Sequence, residues 1–144
     1  MKKLIGAMKL LSLLLLAAIS FILSSHSPMP GGEGFEVYQN EQLILRQFGN
    51  DMNKIKSIQL TAAGAKEQIT VKYFHCGRIA KNRHIVLRSR DKKELKNWLF
   101  SGDPGMSFRV ADVLVPGKRA EIDVYYSSSE LPAGRLLVSL IVNG

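Results

Sequence analysis

A chain of 144 residues with 20 Lys and Arg, 12 Asp and Glu and a formal net charge of +8 has room for one domain, once an N-terminal segment is set aside. Its one cysteine, Cys76, excludes an internal disulfide, so the stability of the domain must come from packing. The positive charge is concentrated: between Lys72 and Lys96 lie nine basic residues and two acids, Asp91 and Glu94.

Lys2, Lys3 and Lys9 precede an apolar run from Leu10 to Leu23 broken only by Ser12 and Ser20. A basic region followed by an apolar stretch of this length is the pattern of a bacterial-type secretory signal. Residues 1–27 are therefore expected to be a signal peptide, helical in its apolar part. Cleavage falls at about 20–27, where Ala18 and Ser20, or Ser25 and Ser27, give small-x-small patterns. The alternative is an uncleaved anchor formed by residues 4–23, since a helix of ~20 residues spans a bilayer. Lys9 lies inside that window and shortens the apolar run, which favours the signal. The expected location is the periplasm, the cell surface or the medium.

Residues 28–34 continue a Pro/Gly/Ser-rich stretch without periodicity and read as a flexible linker, leaving 35–144 as the folded domain. Phe35–Gln39 and Leu43–Phe48 are short β-rich runs around a polar triplet, the pattern of a hairpin. Ile55–Leu60 is a third run with Ile58 and Leu60 on one face, and Thr61–Lys66 has room for a helical turn. Gln68–His75 alternates Ile69, Val71 and Tyr73 with polar residues, because successive side chains of a strand point to opposite faces. A loop follows at Cys76–Asn82. His84–Arg90 places Ile85 and Leu87 opposite Val86, Arg88 and Arg90. Leu95–Phe100 fits either a returning strand or one helix face, and the β-rich run before its short turn favours a hairpin.

Ser101–Gly105 (SGDPG) is a turn, Met106–Val110 alternates, and Ala111–Leu114 suits a helical turn. In the terminal stretch, Ile122, Val124 and Tyr126 alternate with Asp123, Tyr125 and Ser127, while Arg135–Val142 is apolar nearly throughout. Pro132 and Gly134 require a bend between these two runs. Such spacing predicts an all-β fold, an antiparallel β-sandwich of about eight strands, immunoglobulin-like or related. Val124, Tyr126, Leu136, Leu140, Ile69, Val71, Ile85 and Phe108 are its expected core, and Cys76 is expected to be a small buried hydrophobe.

The order of a signal peptide, then FEVYQNEQLIL, YFHCGRIAKNRHIVL and YYSSSELPAGRLL, resembles a group of small exported bacterial proteins of unknown function. That resemblance implies no activity, ligand or catalytic residue. LPAGRLLVSL is also similar to the Leu-Pro-x-Gly corner that leads into a late strand of many bacterial immunoglobulin-like domains. Those carry a Tyr two residues after the Gly, where this chain has Leu136.

His75, Cys76 and His84 are the only clustered soft ligands, and no Cys-x-x-Cys or His-x-His spacing accompanies them, so neither metal nor cofactor is expected. Glu121, Asp123 and Glu130 read as solvated strand and loop charges. Ser127–Ser129 is no nucleophile elbow, and the glycines at 31, 32 and 34 open no helix and make no phosphate loop. The basic window is the one functional signal. Lys72, Arg83, Arg88, Arg90 and Lys96 are the expected binding residues if Gln68–His75, His84–Arg90 and Leu95–Phe100 are neighbouring strands. The bland reading is a solvated face with lysines protecting sheet edges. The sharper reading is a non-enzymatic exported binding or interaction module whose basic face takes acidic glycans, cell-envelope polymers or an acidic protein face. Nucleic acid is excluded as a partner outside the cytoplasm, and a membrane is met only through an uncleaved signal segment. The alternative is a small exported enzyme pairing Cys76 with His75 or His84, with Asn82 as orienting group.

Overall fold

A computed structural model describes residues 32–144 of the chain; the expected signal segment and most of the expected linker lie outside the described residues. Nine strands follow in order: β1 (Gly34–Gln39), β2 (Gln42–Phe48), β3 (Lys56–Thr61), β4 (Gln68–Phe74), β5 (Arg83–Ser89), β6 (Glu94–Phe100), β7 (Gly105–Arg109), β8 (Arg119–Ser127) and β9 (Arg135–Asn143). Single 3₁₀ turns at Gly49–Asn53, Ala62–Gly64 and Val110–Asp112 supply the rest of the regular structure, two of them where the sequence predicts helical turns.

The strands form two sheets, of order β2-β1-β4-β7 and β3-β9-β8-β5-β6. The fold is thus all-β and sandwich-like, with a core drawn from both sheets. Phe35, Val37, Ile69, Val71, Met106 and Phe108 come from the four-stranded sheet, and Leu60, Ile85, Leu87, Ile122, Val124, Tyr126, Val138, Leu140 and Val142 from the other. The expected hairpin of β1 and β2 turns at Asn40 and Glu41, both at positive φ (48° and 69°), as a two-residue loop matched to strand twist requires. Leu95–Phe100 lies within a strand, β6, antiparallel to β5.

Several expectations are corrected. The sheet begins at Gly34, inside the expected linker, because Gly34 pairs with both Phe48 and Phe74. The ladders are not all antiparallel: β3 runs parallel to β9, with Ile58 opposite Leu140. Leu136 is only half-buried, because the β8–β9 register shifts by one residue between Val124 and Tyr125, and Leu137 takes the fully buried position. A one-residue shift exchanges the faces of every side chain beyond it. Cys76 is exposed, not buried; it sits at φ 48° at the head of the β4–β5 loop, before Gly77 at φ 83°. Finally, β5 and β6 are neighbours as expected, but β4 belongs to the other sheet, so the three basic runs do not form one face.

Candidate functional site

The register decides where each basic residue goes. Lys72 stands on the solvent face of the four-stranded sheet, opposite Glu36, with its Nζ 4.7 Å from the centre of the Tyr38 ring. Arg88 stands on the outer face of the other sheet, its guanidinium 4.6 Å from the Tyr125 ring centre and flanked in register by Asp123 and Glu94. Just beyond β5, Arg90 pairs with Glu121 at 3.3 Å. Lys96 lies opposite the buried Leu87, so its stem is on the core side of the exposed edge strand β6. A charge directed inward at a sheet edge hinders pairing with another chain, which is the bland role expected for one of these lysines.

Arg83 does not belong to a basic face. It is in phase with Ile85 and Leu87, is 1% exposed, and donates from Nη1 to Pro104 O (3.1 Å) and from Nη2 to Asp103 O (2.5 Å). Its guanidinium ties the β6–β7 loop to β5 and is shielded from any polymeric partner.

A residue outside the basic window joins Arg90 instead. Arg90, Arg119, Ala120, Glu121 and Ile141 line an open basin of about 380 Å³. Ser89 pairs with Ile122, so the chain leaves β5 beside the start of β8, and Arg119 and Glu121 share one face of that strand. Two guanidinium groups against one carboxylate leave this basin net positive, which favours anions. The alternation of β8 marks Arg119 as outward-facing, but only the strand pairing brings it to Arg90.

The histidines and Cys76 fall apart. His84 is on the outer sheet face, where its Nδ1 meets Asn97 Oδ1 at 2.8 Å. His75 lies at the loop end of the sandwich, where its Nε2 and the Tyr126 hydroxyl are 2.8 Å apart. Tyr126 stacks on Tyr73 of the opposite sheet, with ring centres 4.1 Å apart and planes 9° apart. The Tyr73 hydroxyl donates to Glu33 Oε1 (2.5 Å), and Glu33 pairs with Arg135 at 3.4 Å. Burial raises the pKa of both phenols, and for Tyr73 the bond to Glu33 raises it further. Both therefore remain neutral hydrogen-bond formers around neutral pH.

Among the described residues Cys76 makes no hydrogen bond to either histidine. Around it, the β4–β5 and β8–β9 loops are stitched together. Ser129 N donates to Lys81 O (2.9 Å), Asn82 Nδ2 donates to Ser129 Oγ (2.9 Å), and Lys81 N donates to Glu130 Oε2 (3.1 Å). Glu130 titrates below the usual carboxylate range: burial acts to raise it, but the backbone N–H groups of Glu130 and Lys81 and the Ser128 hydroxyl outweigh that.

Neither a protein-family model nor a curated protein matches this chain.

Proposed function

We propose that this chain is an exported, non-enzymatic binding module, an immunoglobulin-like β-sandwich that takes anionic partners in the cationic basin formed where the chain leaves β5 beside the start of β8. The partners are acidic glycans or cell-envelope polymers. The observation that carries this reading is the basin of Arg90 and Arg119, two guanidinium groups distant in sequence and set in an open surface. Polymers with repeated negative charge gain from such a site through local counter-charge and lose that gain as salt rises. Support for the immunoglobulin-like assignment comes from the order β9-β8-β5-β6, which is that of the last strands and the central pair of such sandwiches. Export rests on the Lys2, Lys3 and Leu10–Leu23 pattern.

The test is elution from immobilised heparin and from a lipopolysaccharide matrix in a salt gradient. Arg90→Glu/Arg119→Glu is expected to elute at clearly lower salt than wild type. Lys54→Glu/Lys56→Glu changes net charge equally at exposed positions outside the basin and is expected to elute between the two. Equal elution of the two double variants, or no retention of wild type, overturns the reading. Export is tested by intact mass of the protein from its native host. Loss of about 20–27 residues is expected for a secretory signal, and full-length protein extracted only with detergent overturns it.

A further inference from the structure

The outward face of the four-stranded sheet carries a feature that neither the core nor the Arg90 basin accounts for. In β1, β4 and β7 the inward positions hold Phe35, Val37, Ile69, Val71, Tyr73, Met106 and Phe108, so the outward positions are expected to be polar. Instead, Phe48 of β2 and Phe74 of β4 both point outward, in register with Gly34 of the strand between them. Their rings stack, with centres 5.8 Å apart and planes 25° apart. The stack depends on Gly34, since a Cβ there would lie 2.0 Å from Phe48 Cδ1. Both rings are half-buried and neither belongs to the core cluster, so their exposed parts form an apolar patch on the outer face of this sheet.

Two residues further along the strands, roughly 7 Å away at the rise of an extended chain, the face turns polar and rigid. The Glu36 carboxylate, on a residue only 7% exposed, accepts from Arg46 Nε (2.7 Å) and from the Tyr38 hydroxyl (2.5 Å). Lys72 lies over the Tyr38 ring and makes no ion pair among the described residues. Beside them, the Thr70 and Ser107 hydroxyls are 2.8 Å apart. An apolar patch followed by hydroxyls, a guanidinium and an ammonium without an ion pair among the described residues matches one kind of partner. A pyranose ring presents apolar C–H groups on its face and hydroxyls at its rim, and a uronate adds a carboxylate.

We infer that this face binds acidic polysaccharide, with a sugar ring stacked on Phe48 and Phe74 and a uronate carboxylate held by Lys72 and the outer edge of Arg46. This rests on the reading of the domain as a binder of anionic polymers, but uses a surface in the other sheet. Stacking on aromatic rings persists in salt, whereas exposed charge attraction is screened within a few Å at ~1 M ionic strength. The two surfaces are therefore separable by experiment.

The experiment is native gel electrophoresis of the full chain through gels containing soluble polygalacturonate or neutral dextran, at low salt and at on the order of 0.5 M salt. Polygalacturonate is expected to retard the protein at both salts, and Arg90→Glu/Arg119→Glu to keep the salt-resistant part. Phe74→Ala is expected to weaken that part by about three- to tenfold, the range for one aromatic contact. Lys72→Gln is expected to weaken binding to polygalacturonate and leave the melting temperature unchanged. Phe74→Leu keeps apolar bulk without the aromatic face and replaces Phe74→Ala if that variant fails to fold. No salt-resistant retardation, equal retardation in the Phe74 and Lys72 variants and wild type, or equal retardation by dextran overturns the inference. Self-association in sedimentation that Phe74→Leu abolishes, without retardation by either polymer, assigns the face to a second copy and also overturns it.

Discussion

Leu136 and Leu140 occupy one strand four residues apart and look equivalent in sequence, yet the structure assigns them different costs. Leu140 is fully buried in β9, with Ile58 of β3 and Ile122 of β8 opposite it in register. Leu140→Ala removes three methyl-sized groups, worth about 2.4 kcal/mol at ~0.8 kcal/mol each. Its β-branched neighbours are held in strands on both sides and relax little. A residual cavity on the order of 50 Å³ then adds about 1.2 kcal/mol. The expected loss is about 3.5 kcal/mol. Leu136 lies beyond the register shift, half-buried beside Tyr125 on the outer face. There truncation leaves no enclosed cavity and forfeits about half the transfer energy, about 1.2 kcal/mol. Equilibrium unfolding in urea measures both, and an unchanged m-value shows that the same surface is exposed in each variant. A difference below ~1 kcal/mol between the two variants, or a larger loss at Leu136, would refute the register shift as the reason for their different burial.

Cys76 is exposed at the head of a loop, so native protein is expected to react with a thiol reagent at neutral pH nearly as fast as unfolded protein; strong protection in the native state contradicts that placement. Tyr73 and Tyr126 have folded-state pKa values raised above 10.0, chiefly by burial, so their contribution is intact below pH 10 and is lost as pH rises through the folded values. Stability is expected to fall above pH 10 by up to about 1.4 kcal/mol per pH unit for each tyrosine, and Tyr73→Phe to show the shallower slope; identical slopes count against the buried phenols. Gly34→Ala forces Phe48 off its seat and is expected to cost about 1–3 kcal/mol, the range for overpacking, read by thermal melting. A neutral effect there means that the ring moves freely.

Alternation alone was enough to place most strands and much of the core. Ile69, Val71 and Tyr73, and again Ile122, Val124 and Tyr126, repeat at two residues and are buried as that period requires. The same period also puts Arg83, in phase with Ile85 and Leu87, on the inward face. Its charge argued for the surface, but two backbone carbonyls of the β6–β7 loop, far along the chain, receive it. What a period of two cannot specify is which strand lies beside which. Lys72 and Arg88 are close in sequence and stand on different sheets, whereas Arg90 and Arg119, and Gly34 and Phe74, meet only through pairing. The shift at Val124 and Tyr125 likewise leaves the β8 pattern intact while exchanging Leu136 for Leu137 in the core. Side-chain direction is set within a few residues of backbone, so the sequence determines it; partner and register are set by the packing of the whole chain, so only the tertiary structure decides them.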